Sequence, residues 1–262
     1  MQSTAKTYIL AAFILGISSS AFCELRDNVK KYDALYPVPN TIKIISGEVS
    51  TVPKMLTGDK GEVIIENKGN IQGTRRFRPV LSGVYYRGGA QDPATPDTTH
   101  DRLTRETLEG LCKDGFSEAI FLYSKPELKK EIIDCGTNRM IYRHIYYQST
   151  AVLWEIHETI FNPSFGPVYA HCYHGLHAAG YAAATSLIQF CDFSNEMAVS
   201  YWKTAAKWKK SQGYAHVISA IEKFKPVEGL RIGGVQKQLI CPSIDFEGYI
   251  KRNSVYMKPA QK

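Results

Sequence analysis

His171-Cys172-Tyr173-His174-Gly175-Leu176-His177-Ala178-Ala179-Gly180 is the stretch on which the reading of this chain turns. Pro167-Val168-Tyr169-Ala170 precedes it, a short apolar run of strand length. Ala178 to Phe190 follows, small and apolar on nearly every face, which predicts a buried helix. A loop between a buried strand and a helix N-terminus aims several backbone N–H groups, and the positive end of the helix, at one point. Cys172 stands at the start of that loop. Thiols in comparable electropositive places ionise well below the ~8.5 of free cysteine. Gly175 and Gly180 permit tight turning and close helix packing. Residue chemistry alone therefore points to a nucleophilic thiol beside an anion nest.

Working outward, Val80 to Tyr86 alternates around Gly83 and predicts a strand or hairpin leading into Arg87-Gly88-Gly89. Thr104 to Asp114 has Leu108 and Leu111 at helical spacing, with Gly115 as a left-handed stop. Ala119 to Tyr123 predicts a strand, Pro126 to Asp134 a short helix, and Met140 to Tyr147 another strand. A helix over Thr150 to Phe161 ends at Asn162-Pro163. Beyond the loop helix, Ser194 caps a helix over Glu196 to Lys210, and Tyr214 to Phe224 closes the helical part. Gln238-Leu239-Ile240 is strand-like. Strands alternating with helices predict an α/β fold with a mainly parallel central sheet flanked by helices.

The loop and its flanks resemble the protein tyrosine and dual-specificity phosphatase superfamily, whose signature is His-Cys-x-x-Gly-x-x-Arg-Ser/Thr-Gly. His171, Cys172, Gly175 and Gly180 match it. Val84-Tyr85-Tyr86-Arg87-Gly88-Gly89-Ala90-Gln91 resembles the opening strand and turn of the compact members, and the likeness runs from about Leu81 to Phe224. The resemblance implies a dual-specificity phosphatase-like fold, Cys172 as nucleophile, and a phosphate loop made of His171, Cys172, Tyr173, His174, Gly175, Leu176, His177 and Ala178. His171 would steady the cysteine loop through hydrogen bonds, and Arg87 is a further candidate for the pocket.

Three parts of the family's machinery are missing. Ala178 stands where the family has the arginine that forks onto phosphate oxygens, and Ala179 where it has a hydroxyl residue. The loop after Met140 to Tyr147 reads Gln148-Ser149-Thr150-Ala151, with no carboxylate before Glu155 to act as general acid. Loss of one preorganised donor costs about two to three decades in rate, and loss of the acid a similar amount. The resulting expectation is a pseudophosphatase that binds a phosphorylated or other anionic ligand. One alternative is an active phosphatase on phosphotyrosine, phosphoinositide or inositol phosphate, with His177 or His174 standing in for the arginine or acid. Another is a non-catalytic interaction module. Cys172, His174 and His177 meet no established metal-ligand spacing, so neither a metal nor another cofactor is expected.

The whole 262-residue chain sets the context. Lys6, the apolar run Tyr8 to Ile17 and the small residues Ser18 to Ala21 have the three parts of a secretory signal peptide over 1–23, cleaved before Phe22 or Glu24. A lipoprotein reading at Cys23 is opposed by bulky Phe22. The expected location is secreted or periplasmic, with no membrane span after cleavage. Residues 24–78 read as a polar, irregular extension packing on the core, with strand-like runs at Thr41 to Ile45 and Glu62 to Ile65. Residues 79–226 form the phosphatase-like domain and 227–262 a C-terminal extension. In an oxidising compartment some of the six cysteines pair, but no Cys-x-x-Cys occurs and connectivity cannot be deduced. The net charge of +7 favours anionic partners, without specific nucleic-acid binding. The basic cluster Arg75-Arg76-Phe77-Arg78 reads as a solvated face.

Overall fold

The computed structural model describes residues 21–90, 102–123, 130–206 and 213–247. It is an α/β structure built on a mixed six-stranded sheet in the order β3-β4-β8-β5-β7-β6. These strands are β3 (Arg75–Leu81), β4 (Tyr85–Gly89), β5 (Glu118–Phe121), β6 (Glu131–Cys135), β7 (Asn138–His144) and β8 (Val168–Cys172). The three inner pairings, β4–β8, β8–β5 and β5–β7, are parallel, whereas the outer pairings β3–β4 and β6–β7 are antiparallel hairpins. A separate small sheet, β2-β1-β9, joins β1 (Thr41–Ile45) and β2 (Glu48–Thr51) to β9 (Ser243–Glu247), with β1 and β9 parallel.

Period-two alternation divides the inner strands between two cores. Tyr85, Val168, Ala170, Cys172 and Ile120 face a core formed with α3 (Ala151–Phe161), α4 (Ala178–Cys191), α5 (Asn195–Ala205) and α6 (Ala215–Glu222). Tyr86, Tyr169, Ala119 and Phe121 face the opposite core, covered by α1 (residues 21–35) and α2 (Arg105–Asp114). Both faces of the central strands are thus buried, which explains their continuous apolar runs. Thr104 caps α2 through its side chain, and Gly115, at φ +90°, stops it as expected.

Several elements differ from the sequence reading. Residues 21–35 form a helix where, from residue 24 on, an irregular stretch was expected; Tyr32 on it and Tyr36 just after it are buried. Part of the expected signal segment, residues 1–20, lies outside the described residues. Glu131 to Cys135 is an edge strand, not the end of a helix: Ile133 is buried while Ile132 is half exposed, the alternation of a strand. Gln238 to Ile240 belongs to the helix α7 (Gly234–Ile240), and the C-terminal strand follows it. Glu62 to Ile65 contributes only a bridge between Thr57 and Val63. Two disulfides answer the pairing left open: Cys112–Cys135 ties α2 to the edge strand β6, and Cys191–Cys241 ties the end of α4 to the residue after α7. Among the described residues no helix is long and apolar enough to cross a membrane.

Candidate functional site

Cys172 is the last residue of β8, at the carboxyl end of the parallel strands, and its thiol is buried and unpaired. The loop 173–177 then turns into α4. Its backbone is fixed from behind. Ala90 N–H donates to the carbonyls of Cys172 and Tyr173 at 2.9 and 3.0 Å. Arg76 Nη1 donates to the His174 carbonyl at 2.5 Å, and Arg87 Nη2 to that of Gly175 at 2.8 Å. Trp202 Nε1 donates to the His177 carbonyl at 3.2 Å. In a trans peptide the carbonyl and the next N–H point in opposite directions. The amides of residues 173–176 and of Ala178 are therefore turned away from these donors. Among the described residues, the amides of Tyr173, Gly175 and Leu176 have no hydrogen-bond partner.

The helix that follows adds to this row. Ala178, Ala179 and Gly180 are buried, and His177, at the N-cap, makes no side-chain capping bond. A buried helix start without a cap leaves its first N–H groups unsatisfied, with the positive end of the dipole behind them. Close packing of the loop on β4 depends on paired glycines. A Cβ at Gly89 would lie 2.7 Å from Gly175 N, and one at Gly175, where φ is +68°, would lie 2.5 Å from the Gly88 carbonyl carbon.

The three histidines of the loop region occupy different environments. His171 is fully buried, stacked between Tyr142 and Tyr169, and its Nε2 pairs with Tyr142 Oη at 3.0 Å. Burial pushes it down to about 3, so it is neutral near pH 7. His177 lies against Tyr214, ring centres 3.5 Å apart. Burial, then the positive charges of His174, Arg76, Arg87 and His216, pushes it down to about 4. An imidazole held neutral is a poor standing replacement for a guanidinium. It does register the electropositive surroundings of the loop. His174 is exposed, with its ring edge-on to Tyr173.

No family model matches the chain, and no curated protein sequence matches it. The functional reading therefore rests on the residues themselves.

Among those, the arginines were the part the sequence concealed. Arg75, Arg76 and Arg78 are each only 4% exposed, so the cluster read as a solvated face is instead buried in β3. A register irregularity between Arg75 and Arg78 accompanies Arg76 at φ +52°, where its guanidinium reaches both Asp59 (2.7 Å from Nε) and the loop. Bulges of this kind re-aim side chains beside functional sites. Arg87 is wholly buried. The signal available in the sequence was Phe77 and Pro79 interleaved with the arginines, a strand pattern more than a surface one.

A carboxylate is not brought to Cys172 by any described residue of the loop after β7. Glu155 pairs instead with Arg143 at 2.6 Å, and Arg143 also bonds Glu118 at the start of β5. Glu118 is raised to about 7, burial outweighing the contact with Arg143. Glu118 and Glu155 line a groove of about 630 Å³ at the amino ends of the strands, whereas Cys172 lies at the carboxyl end of β8. Asp92 and Asp97, which follow β4 in the sequence, lie outside the described residues. Among the described residues no group of three His, Cys, Asp or Glu side chains is placed to hold a metal.

Proposed function

We propose that this chain is an exported protein of phosphatase-like fold that binds a phosphorylated or other small anion at the Cys172 loop without efficient turnover. The observation that carries the reading is the buried, uncapped start of α4 beside the unpartnered amides of Tyr173, Gly175 and Leu176. Groups of this kind are rarely left unsatisfied, and an anion satisfies them together. The strand–cysteine loop–helix order and the Gly88-Gly89 pair against the loop support the likeness to dual-specificity phosphatases. Ala178 and Ala179 support binding over turnover, because neither side chain offers a donor to a transferring phosphoryl group. Two disulfides and the apolar run near the N-terminus support export.

Crystals soaked with tungstate or phosphate test the binding site. The expected result is an oxyanion within about 3 Å of the amides of residues 173–178. An empty loop at saturating oxyanion would overturn the reading. A parallel assay of phosphate release from an aryl phosphate and an inositol polyphosphate is expected to stay at background. Turnover abolished by Cys172→Ser would replace the non-catalytic part of the proposal with the active alternative.

A further inference from the structure

Arg78 and Arg87 are directly opposite one another across the β3–β4 pairing. Arg87 is in turn opposite Ala170 on β8, and Cys172 lies two residues further along that strand. Alternation therefore puts both guanidinium groups and the Cys172 thiol on one face of the sheet, the face covered by α4 and α5. Arg78 is 4% exposed and Arg87 not exposed at all. Like charges directly opposite in a sheet repel, and a buried charge without a counter-ion is costly. Among the described residues neither arginine has a carboxylate within salt-bridge distance, and Asp59 is taken by Arg76.

Their hydrogen bonding is also incomplete. Arg87 gives Nη2 to the Gly175 carbonyl, while its Nε and Nη1 have no partner among the described residues. Arg78 gives only a long 3.5 Å bond to the Pro53 carbonyl, and its Nε has none. The buried hydroxyls of Tyr85 and Tyr201 beside them are likewise without partners, with the Arg87 guanidinium 5.9 Å from the Tyr201 ring centre. Burial, followed by the charge of Arg87, pushes Arg78 down to about 9. Arg87 Nη1 approaches the first turn of α4, 3.5 Å from where a Cβ on Gly180 would be. Two buried cations, neither in a salt bridge with a described residue and Arg78 only partly offset by the more distant charge of Asp59, are thus held immediately behind a loop that presents free amides in front.

We propose that the cross-strand pair Arg78–Arg87 supplies, from behind the loop, the positive charge missing at Ala178, and so makes the loop prefer doubly over singly charged oxyanions. This inference rests on the anion-binding reading of the same loop. Arg87 acts as a positioning residue through the Gly175 carbonyl, and both arginines act through their charge in a low-dielectric interior. The repulsion between them costs stability in the free protein, and a bound anion offsets it.

The opposed effects on stability and binding give the test. Full-length protein is titrated with sulfate, with phosphate at pH 8, and with nitrate and acetate at matched ionic strength, read by calorimetry and thermal shift. Wild type is expected to prefer sulfate and phosphate. Arg78→Met and Arg87→Met are each expected to weaken sulfate binding by about tenfold or more, the scale of a bond to a charged group. Arg78→Met is also expected to raise the melting temperature of the ligand-free protein, since it removes a repelling buried charge and surrenders one long contact. A pair that is merely structural would lower it. Equal affinity for sulfate and nitrate in wild type, or sulfate binding unchanged in Arg78→Met, overturns the inference while leaving the loop an anion site. Absence of any oxyanion binding in wild type overturns the reading of the loop as well. Arg78→Met carries the test alone if Arg87→Met does not fold.

Discussion

His171 shows how one buried side chain couples the site to pH. Its ring fills the space between Tyr142 and Tyr169, and its neutral form is enforced by burial, with the folded value near 3. A depressed folded value means the unfolded chain binds more protons below its own value near 6.5. The associated stability is fully present above pH 6.5 and is lost as pH falls toward 3, by about 1.4 kcal/mol per pH unit. His171→Gln removes this proton uptake while leaving an amide to meet Tyr142 Oη. Urea unfolding at pH 7.5 and 5.0 is expected to show wild type losing about 2 kcal/mol more than the variant over that interval. Parallel slopes for the two proteins would show that His171 is not the group responsible. The sequence placed this histidine in the loop region, expected to steady the cysteine loop, but did not announce its contact with Tyr142. Its hydroxyl partner comes from β7, 29 residues away, and no local pattern announces that.

Among elements, legibility followed periodicity. The strand–loop–helix unit around Cys172 and the helix ending at Gly115 were readable because apolar spacing and stop signals agree there. The segment over 131–135 was misread because Ile132 suggested a helical spacing with Leu128, whereas the edge strand is fixed by β7 and by the disulfide from α2. Helix 234–240 was misread because its three closing residues are equally good strand formers, and only Cys191–Cys241 and packing against α4 decide between them. The arginines of β3 escaped because burial of charge is a tertiary outcome that composition cannot show. The disulfides should therefore matter in proportion to the chain they close. Chain-entropy arguments give about 3 kcal/mol for the Cys112–Cys135 bridge and about 4 kcal/mol for Cys191–Cys241, with 23 and 50 residues of separation. Paired serine replacements, compared by urea unfolding, are expected to cost these amounts, with the Cys191–Cys241 variant the weaker. The reverse order would place the constraint in the edge strand instead of the C-terminal segment.

Across the whole molecule, the segments flanking the central unit are structurally continuous with it. Tyr36 Oη donates to Asp114 Oδ2 at 2.6 Å, and Tyr32 Oη to the carbonyls of Asp114 and Gly115, so α1 holds the end of α2. The rings of Tyr32 and Tyr36 pack with Phe77, Tyr86 and Phe116 as one aromatic cluster on the sheet face remote from α4. A Cβ at Gly83 would lie 2.7 Å from the Val29 backbone, so the β3–β4 turn is moulded to the same helix. The parallel pairing of β1 with β9 then joins the segment before the sheet to the segment after the last helix. A protein begun at Arg75 would expose the whole aromatic face, lose the partner strand of β9, and leave Arg76 without Asp59. Burial of each large aromatic side chain contributes roughly 1.5–3 kcal/mol, and a typical domain has only about 5–15 kcal/mol in hand. Loss of Tyr32 and Tyr36 with Val38, Leu56 and Ile71 is therefore expected to abolish cooperative unfolding: a chain from Arg75 onward should show no sigmoidal urea transition and should bind a hydrophobic dye. A cooperative transition in that chain, with sulfate binding retained, would show that the sheet and the Cys172 loop fold without the preceding segment.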